Sequence, residues 1–279
     1  LQNRKQYAMD SYLPENYRKR NGHMITSAAN QQVKQLIQLN KKGKLRDARD
    51  VFVVEGPRMF REAPKERIEK IYISESYFKN QRQEMGAGIP YEVVQDSVFK
   101  AMCDTQTPQG ILCLVKQYHY TLKDLFKKTN PLLLILENIQ DPGNLGTMMR
   151  TAEGAGADGV ILSTGCVDLY NPKTIRSTMG SVYRVPFLQA GDLKETIAEL
   201  KGQGVSTYAA FLDGAKSYGE PDYRKGTAFL LGNEGNGLTR ELAACADTCI
   251  RIPMEGKLES LNVSAASAVL LYEAHRQRS

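Results

Sequence analysis

Apolar residues along this chain fall into short runs whose spacing switches between two periods. Val33, Leu36, Ile37 and Leu39 recur every one to three positions on one helical face, which predicts a helix over residues 30–39. The run VFVVEG (51–56) predicts a strand, and Pro57-Arg58 opens a second helix. IEKIYIS (68–74), YEVV (91–94) and ILCLVK (111–116) predict further strands, with a helix over 96–102 and a turn at QTPQG (106–110). These elements make a small α/β unit over 25–118, an ordinary domain size. Residues 119–130 predict a linker with one or two helical turns.

From 131 onward the pattern changes. PLLLILENI (131–139) is almost wholly apolar, as in a strand buried on both faces of a parallel sheet. Helices at 144–155, 172–180, 193–201 and 261–276 alternate with strands at 159–163, 183–187, 206–211, 227–232 and 248–252. Such alternation predicts a doubly wound α/β domain over 131–279, with ligands at the C-terminal ends of its strands. Residues 1–23 are polar, dotted with tyrosine and without period. Gly22-His23-Met24 resembles a cloning scar, so 1–24 is expected to be a tag or disordered segment and is set aside.

Charge divides the chain in the same place. Residues 1–130 carry 23 Lys and Arg against 14 Asp and Glu, a net +9, and the rest carries −3. The densest basic cluster is Lys41, Lys42, Lys44, Arg46 and Arg49, a candidate RNA-binding surface. A solvated lysine-rich face is its commonplace reading. There is no run of 18 apolar residues and no apolar leader, so neither a membrane span nor a secretory signal is expected. Five cysteines without a CxxC pair suggest reduced thiols in a cytoplasmic protein, and no metal site is expected.

Three stretches carry candidate chemistry. In ENIQDPGNLGTMMRTAEGAGADGVIL (137–162) a strand meets a Pro-Gly turn and a helix. Asn144 stands where an N-cap would, and Arg150 offers a planar cation to phosphate or RNA backbone. Met148, Met149 and Ala152 are expected to face the core. In LGNEGNGL (231–238) three glycines surround Glu234, a carboxylate placed to accept hydrogen bonds from a ligand or another chain; a tight hairpin-like loop is the plain alternative. In IPMEGKLESLNVSAASAVLLYEA (252–274) Ser260 is a candidate N-cap and Asn262 lies in the first helical turn. Ala265, Ala266, Ala268, Val269 and Leu271 form a small apolar face that suits a core or a second subunit. Glycine-stopped strand ends let backbone approach a ligand closely, while the absence of GxGxxG and of a Walker lysine argues against a dinucleotide or nucleoside triphosphate.

In their order and spacing these stretches resemble the SpoU (TrmH-type) RNA ribose 2′-O-methyltransferases of the SPOUT superfamily, over about 131–276. NPKTIRSTMGSVYRVPF (171–187) is similar to the segment between the family's first two motifs. Residues 30–116 resemble the L30-like substrate-binding domain that many members carry. The resemblance implies a parallel-sheet catalytic domain with a C-terminal trefoil knot, an S-adenosylmethionine site in the knot, and a homodimer. By motif position it implies that Gly232, Ile252 and Leu261 hold the cofactor through backbone contacts. It assigns Arg150 to the 2′-OH, with Asn144, Glu234, Ser260 and Asn262 as the other polar active-site positions. The substrate expected is 23S ribosomal RNA. Transfer RNA is the alternative, and a catalytically silent RNA-binding assembly factor is the reading from a different class.

Overall fold

A computed structural model describes residues 24–80, 89–213 and 216–279. It divides into two compact units that part between residues 117 and 118; the tag or disordered segment expected over 1–24 lies, Met24 apart, outside the described residues.

The first unit carries helices α1 (Gln31–Lys41), α2 (Gly43–Arg49), α3 (Pro57–Glu62), α4 (Glu75–Asn80) and α5 (Asp96–Met102). Its strands are β1 (Val51–Glu55), β2 (Ile68–Ser74), β3 (Tyr91–Val94) and β4 (Ile111–Lys116), in the order β1-β4-β2-β3. β4 runs antiparallel to β1 and β2, while β2 and β3 are parallel. Val33, Leu36 and Leu39 of α1 are buried and pack with Val51, Val53, Val98, Phe99 and Leu114, so the predicted helical face does meet the sheet. The apolar pattern does not predict helix α2. It starts at Gly43, after Lys42 breaks α1 in an extended conformation (φ −122°, ψ 106°), and ends at Asp50 in the left-handed region (φ 54°).

Arg46 corrects one sequence expectation. Its guanidinium turns inward, is only 2% exposed, and donates to the carbonyls of Leu39 and Asn40 at the end of α1. Those carbonyls lack intrahelical partners, and a buried arginine satisfies them. Arg46 therefore joins two helices and does not belong to the exposed basic face that Lys41, Lys42, Lys44 and Arg49 present.

The described residues of the second unit form seven strands, β5 (Leu132–Leu136), β6 (Gly159–Ser163), β7 (Phe187–Ala190), β8 (Ser206–Ala210), β9 (Lys216–Ser217), β10 (Thr227–Leu231) and β11 (Thr248–Arg251). All described pairings are parallel, in the order β7-β6-β5-β10-β8-β11-β9. The central strands β5 and β10 are buried at every position, as their unbroken apolar runs require. Helices α6 (Pro142–Gly154), α7 (Pro172–Thr178), α8 (Leu193–Gly202), α9 (Arg240–Ala243) and α10 (Val263–Arg278) complete the unit. The segment predicted as a linker packs here: Leu125 ends a 3-10 turn (Leu122–Leu125), is fully buried, and leaves no room for a side chain at Gly159. The strand expected at 183–187 instead begins at Phe187. Ser181–Tyr183 forms a 3-10 turn, and Pro186, which lacks an N–H, offers only its carbonyl to Val160.

Candidate active site

The C-terminal ends of β5, β10 and β11 lie at the same end of the parallel second sheet, β10 and β11 flanking β8, with the first turns of α6 and α10 beside them. The chain reaches α6 through Asn138, held at φ 55°. Asp141 then caps the helix, its carboxylate accepting from the Asn144 N–H at 2.9 Å. Asn144 is therefore not the N-cap that its position suggested. Pro142 takes the first helical position, where its fixed φ fits and its missing N–H is no loss, so the cap falls one residue earlier. Asn144 lies one turn in, with its side chain free to bond elsewhere. The hydrogen bond from the Asn144 backbone holds the Asp141 carboxyl below its usual range, with a lesser contribution from Lys173 at 3.3 Å.

After β10 the chain makes a tight hairpin in which Asn233 and Gly237 exchange backbone hydrogen bonds of 3.0 and 2.9 Å. Gly232 precedes it and is buried. A Cβ there would lie 2.1 Å from the Leu238 nitrogen and 2.2 Å from the Gly237 carbonyl, so only glycine lets the loop fold back. The close approach read from the sequence is thus, first of all, an approach of the loop to itself. At the tip, Glu234 accepts from the backbone N–H groups of Gln140 and Asp141, both at 3.0 Å, and from Asn144 Nδ2 at 3.1 Å. Partial burial raises its carboxyl pKa, but these three donors outweigh that and the net shift is downward. Glu234 is an ionised clamp between the β10 loop and the start of α6. Gln140 and Asp141 were not singled out as its partners, because a backbone N–H has no signature in sequence.

The third part is the start of α10. Asn262 is the N-cap, its Oδ1 accepting from the N–H groups of Ser264 at 2.9 Å and Ala265 at 3.4 Å. Ser260, the expected cap, is an exposed loop residue two positions earlier. Asn262 Nδ2 donates to Asn144 Oδ1 at 3.2 Å. Asn262, Asn144 and Glu234 therefore form one chain of hydrogen bonds across three segments far apart in sequence. Arg150 stands outside it. It is exposed on α6, six residues beyond Asn144, and none of its groups bonds to a described side chain. Met148, Met149 and Ala152 beside it are fully buried, as expected.

Gly232, Glu234, Ile252, Ser260 and Leu261 line one cavity of about 270 Å³. Its walls combine backbone at strand ends with apolar side chains, among them Leu231, Ile250, Met254 and Val263. Edge hydrogen bonds from main chain and flat apolar walls suit an adenine and a thioether chain, so the residues present fit S-adenosylmethionine.

Comparison with known proteins agrees with this geometry. The SpoU rRNA Methylase family matches residues 131–272, and the MRM3-like substrate binding domain matches 30–113. The 23S rRNA (guanosine(2553)-2′-O)-methyltransferase RlmP of Bacillus subtilis is 35% identical over 251 residues, spanning 89% of this chain and 97% of that protein. An AdoMet-bound rRNA methyltransferase from Sinorhizobium meliloti superposes with a TM-score of 0.81 at 32% identity, covering 91% of this chain and 97% of that one. A solved RNA 2′-O ribose methyltransferase gives 0.79 at 33% identity, covering 91% and 99%. The glycine-closed loop, the Asn262–Asn144–Glu234 chain and matches spanning both units lead to one assignment: the chain belongs to the SpoU rRNA methylase family.

Proposed function

We propose that this chain transfers the methyl group of S-adenosylmethionine to a ribose 2′-OH of 23S ribosomal RNA. The reading rests foremost on the cavity closed by Gly232, which sets strand-end backbone and apolar walls next to the Glu234–Asn144–Asn262 chain. The likeness to RlmP along almost its whole length supports the ribosomal substrate.

When bound, the cofactor supplies a sulfonium methyl and its own leaving group. The protein has to hold the cofactor, orient a ribose hydroxyl and help its proton depart. Gly232, Ile252 and Leu261 would hold the cofactor through main-chain contacts, and Ser260 lines the same wall. Glu234, Asn144 and Asn262 position the loop and the two helix starts around it. Glu234 is a poor proton acceptor, because three donors already occupy its carboxylate and lower its pKa. The Arg150 guanidinium offers a planar fork of donors and no acceptor, so its task is to grip a phosphate and stabilise the developing alkoxide. The proton then leaves to water or to a phosphate oxygen.

The Ala265–Val269 stretch of α10 is consistent with a homodimer. Ala265 is exposed, Ala266, Ala268 and Val269 are half-buried, and Tyr272 is 49% exposed, so this face is incompletely covered by its own unit. No helix among the described residues is long and apolar enough to cross a membrane.

The test is methyl transfer from tritiated S-adenosylmethionine to total RNA of a strain lacking the corresponding gene, followed by nucleoside analysis. A labelled 2′-O-methyl nucleoside in 23S RNA is expected. Label confined to transfer RNA would move the substrate, and no label despite cofactor binding would leave an assembly factor.

A further inference from the structure

The first unit carries a cavity of about 530 Å³ that methyl transfer as described does not use. This is a volume ordinary for small-ligand sites. It opens where β2 ends and β4 begins. Ser74 closes β2, and its buried hydroxyl accepts from the Tyr77 N–H at 3.2 Å. Gly110, at φ +86°, allows α4 to settle on the turn before β4: a Cβ there would stand 2.6 Å from the Tyr77 Cβ and 2.9 Å from Ser74 Oγ. The cavity thus has a fixed wall that includes Tyr77 and Phe99.

Three polar side chains line it with bonding capacity left over. Asp96 commits Oδ1 to the N–H and the hydroxyl of Ser76, both at 3.0 Å, and no donor among the described residues reaches Oδ2. The Lys100 ammonium, one helical turn further along α5, makes no ion pair or hydrogen bond there. The Gln109 amide lies over Gly56, its oxygen 2.8 Å from where a Cβ would stand, and it too bonds to none of them. A wall that includes the Tyr77 ring, with an acceptor, an amide and a cation at its margin, matches a nucleobase, apolar on its faces and ringed by donors and acceptors.

We propose that this cavity takes one unpaired nucleobase of the RNA substrate, with Tyr77 beside its face, the core residue Phe99 at the cavity floor, and Asp96, Lys100 and Gln109 at its edge. The proposal rests on the RNA-methyltransferase reading and deepens it. It is separate from the basic cluster, because α2 feeds the start of β1 whereas the cavity lies beyond its end, roughly 15 Å away along the strand. Phosphate attraction and base capture are therefore separable by mutation.

The experiment uses the full chain and 23S RNA transcribed with 4-thiouridine or 6-thioguanosine in part of its positions. Irradiation is followed by mass mapping of the adduct, with unlabelled RNA or the four nucleoside monophosphates as competitors. The double variant Lys100→Ala/Gln109→Ala removes two exposed side chains that hold nothing in place. The expected result is an adduct within 74–77 or 96–110, competed by RNA and depleted in the double variant. The RNA KM then rises about ten-fold, with kcat at saturating RNA and cofactor affinity unchanged. Methyl transfer with no such adduct, and a KM within two-fold in the variant, overturns the cavity and leaves the enzyme. An adduct without any methyl transfer keeps the cavity and overturns the enzyme reading, and absence of both overturns both. Competition by free nucleotides but not by RNA would assign the cavity to a small nucleotide and overturn the proposal.

Discussion

Arg150 and Glu234 are both charged and both exposed, yet the structure gives them opposite circumstances. Arg150 bonds to no described side chain, so nothing in the fold needs it. Substitution by lysine should leave thermal stability within about 0.5 kcal/mol, as at other unbonded surface positions. It should lower kcat by roughly 100-fold, the scale seen when one oriented donor is lost from a developing oxyanion. Equilibrium unfolding and single-turnover methyl transfer measure the two effects, and a lysine variant with most of its kcat would sink the need for a planar fork. Glu234 is bonded three times, so Glu234→Gln should cost stability, on the order of 1–2 kcal/mol given its exposure. Its pKa is depressed in the folded state, so this stabilisation is present above the ordinary carboxylate value of 4.5 and is lost as pH falls through the lower folded value. The gap between wild type and Glu234→Gln in urea unfolding should therefore be constant near neutrality and narrow as the pH drops below 4.5. The same ionised clamp should leave no Glu234 ionisation in the neutral pH–rate profile.

Helix ends decide how the site is assembled, and at two of them the structure departs from the residue types that local propensity favours. Asn144 and Ser260 were both placed as N-caps by residue type, but the caps are Asp141 and Asn262. The departure at α6 follows from Pro142, whose preference for the first helical turn moves the boundary back. The departure at α10 is a choice between Ser and Asn two positions apart, which local propensity does not resolve. The strands were legible because β-branched and aromatic residues are concentrated in them: β2, β3, β4 and β6 fall on the predicted boundaries. The short elements β9 and α9 carry no periodicity of their own and went unread. The link from Asn262 to Asn144 joins residues 118 positions apart, and only the folded sheet shows it. It gives a two-variant test of the element. Asn262→Ala should lower stability by about 1 kcal/mol through the lost cap. Asn262→Asp keeps the cap acceptor and should retain stability, while removing the Nδ2 donor to Asn144. If the link positions the site, Asn262→Asp should lose methyl-transfer rate at unchanged melting temperature. Equal loss of rate and stability in both variants would reduce Asn262 to a cap.

Across the whole molecule, charge separates the two units, and one arginine shows why a charge count alone misleads. The family resemblance placed the catalytic fold correctly, whereas the knot it implies lies beyond any argument from periodicity. The five basic residues at 41–49 looked equivalent in sequence, but burial sorts them. Arg46 secures the end of α1 from within, and Arg49 pairs with Glu69 at 3.1 Å, which leaves the three lysines as the open cations. Arg46→Ala should therefore act on folding, lowering the melting temperature of the chain by removing partners from buried carbonyls. Lys41→Ala/Lys42→Ala/Lys44→Ala should leave that temperature unchanged and weaken RNA binding instead. Each lysine that neutralises a phosphate contributes about 0.9 to the slope of log affinity against log salt on a duplex and about 0.7 on a single strand. The triple variant should thus flatten that slope by roughly two to three, with little change in preference between RNA sequences, because phosphate contacts carry no sequence information. Filter binding of 23S RNA over a range of salt measures the slope directly. An unchanged slope would return the three lysines to the role of a solvated face and require the RNA to engage this chain elsewhere.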